Sequence, residues 1–183
     1  MTGGVLVYRG LSGICPVYTA LGRSTYKGAH EVKVETTMSI NKPVHEVYQF
    51  WRKLDNLPLF MKHLESVQVH DDKKSSWHAR IPGGIGTINW DAEIVNEEEN
   101  RLLEWTSLEG ANIENHGHVT FVSTGDGTTE LLVKIRYKAP LGMAGELISK
   151  LFTPVFTAMI KKDIAGFKQY IETGQLPDGQ EQQ

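Results

Sequence analysis

The chain has 183 residues, of which 40% are hydrophobic and 22% are charged. This length and composition fit one globular domain with a buried core and exclude a disordered or collagen-like protein. The formal net charge is −3, from 19 Lys and Arg against 22 Asp and Glu, so no strong positive field is present to attract a nucleic acid. The single cysteine, Cys15, excludes an intrachain disulfide and a cysteine-rich zinc site. This cysteine content fits a reducing, cytoplasmic location.

Residues 1–29 form an N-terminal leader that is rich in Gly, Tyr and small apolar residues and has no acidic residue. Its longest apolar run, residues 5–8, is far shorter than the ~20 residues of a membrane-spanning helix, and the pattern of a signal peptide is missing. We expect a folded domain over 30–174, because Gly174 suits a helix C-terminus and Pro177 prevents the helix from continuing. Residues 175–183 are predicted to be a flexible tail.

The first elements of the domain are a strand and a short helix. Apolar and polar residues alternate over 32–40, which is the period of a half-buried strand. Asn41 suits a helix N-cap and Pro43 the first helical turn, and apolar residues then recur at helical spacing over 44–54. Residues 55–64 are predicted to form a second helical turn.

Six more strands follow, and short turns rich in Gly, Pro, Asp and Asn separate them. The predicted strands cover 66–71, 75–81, 87–96, 101–108, 113–123 and 129–138. Because the connections are short, we expect consecutive strands to be antiparallel neighbours.

The C-terminal part of the domain is helical. Its apolar residues follow a helical period and include Val155, Met159, Ile160 and Phe167. Thr153 can cap a new helix with Pro154 as its first residue, so we predict a short helix at 143–152 and a long one at 154–173. Only the long helix can cover the apolar face of the sheet, which predicts an α+β fold with a seven-stranded antiparallel sheet wrapped around it.

Several motifs resemble the START-like (SRPBCC) superfamily of polyketide cyclases, dehydrases and lipid-transport proteins, close to coenzyme Q-binding START domains. They are W-D-A-E-I at 90–94, L-x-W-x-S at 103–107, G-A-x-x-x-N-x-G-x-V-x-F at 110–121, K-L-F at 150–152 and D-x-x-x-F-K-Q at 163–169. The resemblance runs from about residue 32 to residue 177 and implies the helix-grip fold, with a ligand cavity between sheet and helix. It also implies that the Gly-rich loop at 82–86 lies at the mouth of that cavity and gates it.

The leader has a resemblance of its own. Residues 9–22 are similar to the end of a small hydrophobic membrane module that precedes this domain in related bacterial proteins. The leader is therefore expected to be a truncated product or a helical hairpin that packs on the domain or on a membrane. A poorly ordered arm is the alternative.

The predicted ligand site consists of large side chains, because the sequence has more of them than are needed to fill the contact between the sheet and one helix. These residues are Trp77, Trp90, Trp105, Phe121, Tyr137, Phe156 and Met159. Periodicity alone does not separate those that touch a ligand from ordinary core residues. The expected partner is a hydrophobic small molecule or lipid.

The ionisable residues do not converge on one reaction, and the sequence predicts no cofactor, no metal and no catalytic residue. His116 and His118 share one face of a strand, a spacing that can serve a metal, but we expect exposed histidines there because Val119 and Phe121 alternate inward. Asp91 and Glu93 are interpreted as part of a charged outer face. Asp163 is expected to be a helix-surface carboxylate bonded to Lys or Arg. The loop at 82–86 lacks the glycine spacing of a phosphate-binding loop.

Three functions remain open at this point. The first is binding or transport of a lipid, isoprenoid quinone or polyketide-like molecule in the cavity, and it needs no catalytic residue. The second is a polyketide cyclase or dehydratase that uses a carboxylate or histidine in the cavity as acid and base. The third is a protein-interaction module. The sequence favours the first.

Overall fold

The computed structural model describes residues 31–81, 86–139 and 153–176. Within them, the strands are β1 (Glu31–Ile40), β2 (Leu64–Val69), β3 (Lys74–Arg80), β4 (Thr87–Glu98), β5 (Leu102–Ser107), β6 (Glu114–Ser123) and β7 (Thr129–Lys138). The helices are α1 (Val44–Arg52), a 3₁₀ helix (Leu54–Leu59) and α2 (Pro154–Thr173). The predicted leader, the predicted helix at 143–152 and the tail beyond residue 176 lie outside the described residues.

The strands form one antiparallel sheet in the order β1-β7-β6-β5-β4-β3-β2. Strands β2 to β7 follow one another as neighbours, and β1 pairs with β7, where Val34 lies opposite Ile135. Register shifts in β2, between Leu64 and Ser66, and in β4, between Ile94 and Asn96, mark irregularities that bend a strand locally. The predicted seven-stranded antiparallel sheet is confirmed.

Helix α2 begins and ends where the sequence predicts. The Thr153 side chain accepts a hydrogen bond from the Phe156 N–H at 3.1 Å, and Pro154 is the first helical residue. Gly174 ends the helix with a φ of 75°, in the left-handed region where glycine has no Cβ penalty. The buried side of α2 includes Phe156, Ile160 and Phe167, so the helix covers the inner face of the sheet.

Val155 is an exception to the predicted apolar face of α2. Its side chain is 68% exposed, because it lies about 100° around the helix from buried Phe156. The neighbouring apolar position one turn later, Met159, is only half-buried. The buried side of α2 is therefore narrower than the apolar residues alone indicate.

A closed cluster of aromatic rings joins α1 and the 3₁₀ segment to α2. The Trp51 ring meets the rings of Phe60 and Phe167 edge-on, each with 5.4 Å between centroids, and the last two rings are 4.8 Å apart. All three side chains are fully buried. This aromatic cluster anchors the C-terminal half of α2.

Gly117 leaves the space that the Trp105 indole occupies. The two residues face each other across β5 and β6, and a Cβ on Gly117 would lie 2.1 Å from the indole ring. A real Cβ cannot approach a ring carbon so closely, so this position requires glycine for as long as residue 105 is tryptophan.

Replacing Phe167 by Ala should lower the free energy of unfolding by about 3–5 kcal/mol, because a fully buried ring would leave a cavity in the aromatic cluster. Chemical denaturation measures the change. Val155→Ala, on the exposed side of the same helix, is the control and should change stability by about 0.5 kcal/mol or less. Equal losses in the two variants would show that the buried face of α2 is assigned wrongly.

Gly117→Ala should cost about 1–3 kcal/mol of unfolding free energy, because its Cβ forces the Trp105 ring out of place. Trp105→Leu removes the obstructing ring, so the double variant should be more stable than the sum of the two single losses predicts, by more than about 0.5 kcal/mol. Strict additivity in denaturation experiments would contradict the proposed clash.

Candidate functional site

Three tryptophans lie side by side on the inner face of the sheet, and we call Trp77, Trp90 and Trp105 the indole stack. Trp77 of β3 lies opposite Trp90 of β4 in the strand register. The Trp77 ring is nearly parallel to both neighbours, with centroid distances of 5.8 Å to Trp90 and 5.6 Å to Trp105. Each side chain is at least 95% buried. The stack forms a continuous group of buried aromatic rings within the domain.

The indole N–H groups of the stack differ in their hydrogen bonds. Trp77 Nε1 donates to Ser75 Oγ at 2.8 Å, and Trp105 Nε1 donates to Asn115 Oδ1 at 3.0 Å. Trp90 Nε1 is buried and has no partner in the described parts of the chain. A buried donor without an acceptor costs about 1–3 kcal/mol, so this N–H is an unfilled hydrogen-bonding position.

Tyr137 and Phe156 extend this group of aromatic rings from the sheet to α2. The Tyr137 ring of β7 is perpendicular to Trp90, with centroids 5.9 Å apart, and lies 5.6 Å from the ring of Phe156. The structure thus brings together five of the seven side chains predicted for the ligand site. Their membership of a ligand site stays a prediction.

The other two predicted ligand residues lie apart from this group. Phe121, near the end of β6, packs edge-on against Tyr48 of α1 at a centroid distance of 5.4 Å. Met159 is half-buried on α2 and packs against the hydrophobic core. The contacts of Phe121 are those of an ordinary core residue.

A chain of buried polar side chains borders the group of aromatic rings. Asp163 Oδ2 lies 3.0 Å from His63 Nδ1, and His63 Nε2 lies 3.0 Å from the Tyr137 hydroxyl. The same carboxylate oxygen accepts the His63 backbone N–H at 3.3 Å. His63, Asp163 and Tyr137 are each at most 3% exposed. We call these three residues the polar chain.

The polar chain sets where protons lie. An ionised carboxylate only accepts hydrogen bonds, so His63 Nδ1 carries a proton toward Asp163. In the neutral imidazole, Nε2 is then an acceptor and takes the Tyr137 O–H. Burial, and to a smaller extent the charge of Asp163, raises the pKa of Tyr137 above its usual range, so this side chain stays a neutral phenol.

The expectation for Asp163 is wrong. This residue is not on the helix surface with a Lys or Arg partner, but is 3% exposed and bonded to His63. The sequence contains a signal for this burial, because Asp163 lies three residues after Ile160 and four before Phe167. This spacing places all three residues on one helix face. His63 had no comparable signal, because it lies in an irregular segment between the 3₁₀ helix and β2.

The outer face of the sheet carries the remaining candidate residues. His116 and His118 are half-exposed there, as expected, and lie 3.2 Å and 3.7 Å from Glu104 Oε1. Burial lowers the pKa of His116 despite the nearby carboxylate of Glu104. Asp91 is exposed and accepts a hydrogen bond from Ser76. In the part of the chain that the structure describes, no group of three or more His, Cys, Asp or Glu could hold a metal ion.

The architecture, an antiparallel sheet of seven strands with one long helix packed against it, is the helix-grip fold. A sequence profile of the family described as "Polyketide cyclase / dehydrase and lipid transport" matches residues 40–162. The chain belongs to this family. Its fold is therefore one that binds hydrophobic ligands.

Three proteins illustrate the similarity. An uncharacterised 17.2 kDa protein of Streptomyces lincolnensis is 27% identical over 140 residues, which are 76% of this chain and 89% of that protein. A crystal structure of a protein from Deinococcus radiodurans is 35% identical, with a TM-score of 0.61, and the match covers 78% of this chain and 99% of that one. A START superfamily protein from Mycobacterium smegmatis, 13% identical with a TM-score of 0.56 over 76% of this chain and 99% of that one, shares the fold.

Among the described helices, none has the length and apolar content that crossing a membrane requires. The loop at 82–86 is described only at Gly86, so its predicted gating role stays a prediction. The same holds for the predicted membrane association of the leader.

Asp163→Leu and His63→Leu should each cost about 3–5 kcal/mol of unfolding free energy, because each leaves a buried polar partner alone. The loss of unfolding free energy in the double variant should be smaller than the sum of the two single losses by more than about 1.5 kcal/mol. Denaturation of the four proteins of this double-mutant cycle measures the difference.

The exposed pair Glu98 and Arg101, 2.7 Å apart at the turn from β4 to β5, is the control for this cycle. Its coupling should be only about 0.2–1 kcal/mol. If His63 and Asp163 couple no more strongly than this surface pair, the polar chain does not hold α2 in place.

Proposed function

We propose that this protein binds or carries a lipid, isoprenoid quinone or polyketide-like molecule between the inner face of the sheet and α2. The observation that carries the proposal is the indole stack with Tyr137 and Phe156, five buried aromatic side chains in one connected group. Burying apolar ligand surface against such rings yields about 25 cal/mol per Å². Family membership supports the same class of ligand.

The aromatic character of this group favours one part of this range of ligands. Stacked or edge-on aromatic pairs gain about 0.5–1.5 kcal/mol beyond their buried area, and a saturated acyl chain cannot make these contacts. A ligand with a flat conjugated ring system adds a further aromatic pair to the group and is therefore favoured over a saturated chain. Quinone head groups and polyketide-derived rings have this shape.

A second function, a cyclase or dehydratase acting on a polyketide-like chain, is favoured by the polar chain. His63 between Asp163 and the Tyr137 hydroxyl has the two hydrogen-bonded neighbours that general acid-base catalysis uses. Binding requires none of these groups to exchange protons with the ligand, so it remains the first proposal.

Ligand binding should raise the melting temperature. A compound at about 100 times its dissociation constant stabilises the native state by about 2.7 kcal/mol, or about 5–10 °C for a chain of this size. Thermal melts with a panel of lipids, isoprenoid quinones and aromatic polyketides measure this, and mass spectrometry of an organic extract identifies any molecule that co-purifies.

Two variants locate the effect. Trp90→Leu should reduce the ligand-induced shift, whereas Phe60→Leu, an equally buried aromatic change in the cluster with Trp51 and Phe167, should preserve it. If no compound shifts the melting temperature and nothing co-purifies, the binding proposal fails and a protein-interaction module replaces it.

A further inference from the structure

Two unfilled hydrogen-bonding positions lie on neighbouring rings of the predicted ligand site. The first is the Trp90 indole N–H, a buried donor with no acceptor among the described residues. The second is the Tyr137 oxygen. With His63 neutral and its Nδ1 proton directed at Asp163, the Tyr137 hydroxyl donates to His63 Nε2, 3.0 Å away. A hydroxyl oxygen has two lone pairs that can still accept. The two rings are perpendicular neighbours, 5.9 Å apart at their centroids.

The other buried polar groups around the indole stack are already satisfied. Trp77 and Trp105 have acceptors in Ser75 and Asn115, and Asn115 also donates to the Arg136 carbonyl oxygen at 3.3 Å. Among the described residues around the indole stack, the unfilled positions are thus those of Trp90 and Tyr137, and Tyr137 contacts Phe156 of α2.

Trp51 Nε1 also has no partner in the described residues, but its surroundings differ. Its ring makes T-shaped contacts with Phe60 and Phe167, and an aromatic π face can receive an N–H weakly. Trp90 instead has Tyr137, a side chain with a free acceptor, beside it. The Trp51 group is part of a closed core and offers no second polar atom to a ligand.

We infer that Trp90 and Tyr137 form a polar subsite for a hydroxylated aromatic ligand, a phenol or enol of a conjugated ring system. This inference rests on the proposed binding function and specifies the ligand class. A ligand oxygen accepts the Trp90 N–H, and a ligand O–H donates to the Tyr137 oxygen. His63 and Asp163 are positioning residues, because they fix the direction in which the Tyr137 proton points.

The arrangement selects against two other kinds of ligand. A pure hydrocarbon leaves both positions empty and gains only contact with the rings. An ether or an isolated carbonyl fills the Trp90 position but has no proton for Tyr137. Only a group that both accepts and donates satisfies both residues.

Three probes with one aromatic body test the inference: naphthalene, 2-methoxynaphthalene and 2-naphthol. Their dissociation constants are measured by calorimetry for the wild type and for Trp90→Phe, Tyr137→Phe and the control Trp77→Phe. The hydration free energy of an unbound probe does not depend on the protein variant. It therefore cancels when the dissociation constants of one probe are compared between variants.

Trp90→Phe should weaken the binding of 2-methoxynaphthalene and 2-naphthol about two- to tenfold more than the binding of naphthalene. Each of the first two probes loses one hydrogen bond in this variant. Tyr137→Phe should weaken the binding of 2-naphthol by a similar factor and leave the affinities of the other two probes unchanged. Trp77→Phe should affect the three probes equally, because its N–H already bonds to Ser75.

The two ways of failing are separate. If the probes bind but each variant shifts all three affinities by the same factor, the polar subsite is wrong and the proposed binding function stands. If none of the probes binds to the wild type, the polar subsite is overturned, and the melts with lipids, quinones and polyketides decide the binding function separately. A Tyr137→Phe protein that does not fold leaves the Trp90→Phe comparison to decide the inference.

Discussion

The hydrogen bonds between Asp163 and His63 fix where α2 lies over the sheet. The carboxylate accepts both the imidazole Nδ1–H and the backbone N–H of the same residue, so it holds α2 against the segment that enters β2. Such a buried pair is costly to desolvate and stabilises the fold only when its partners are in place. The other imidazole nitrogen, Nε2, is hydrogen-bonded to the hydroxyl of Tyr137 in β7. The His63 imidazole therefore links α2, the segment before β2 and strand β7.

The interior divides into two aromatic regions with different surroundings. Trp51, Phe60 and Phe167 form a closed cluster around the C-terminal half of α2. The indole stack lies on β3, β4 and β5, and it meets α2 through Tyr137 and Phe156 near the helix N-terminus. The C-terminal half of α2 therefore packs into the core and stabilises the fold, whereas its N-terminal half borders the predicted ligand site.

The strands, the succession of β2 to β7 as neighbours and the limits of α2 could be predicted from the sequence because they depend on local signals. The pairing of β1 with β7 joins distant parts of the chain and has no such signal. Alternation marks β1, turn residues separate the later strands, and Thr153, Pro154 and Gly174 mark the helix ends. The buried polar chain could not be predicted in the same way. His63 and Asp163 are 100 residues apart, and whether a carboxylate finds an imidazole or a solvent-exposed lysine depends on tertiary packing. Likewise, the sequence does not separate Phe121 from the indole stack, because both alternate inward on the same sheet.

The proposed function depends on a ligand meeting the indole stack, and the indole N–H signals of a nitrogen-labelled sample report this contact directly in NMR spectra. The chain has four tryptophans, which single Trp→Phe variants assign. A bound conjugated ligand should move the signals of Trp77, Trp90 and Trp105, with the largest change at Trp90, and leave Trp51 in the closed cluster nearly unchanged. Binding that moves Trp51 and leaves the other three in place, or moves none of the four, would contradict the proposed function.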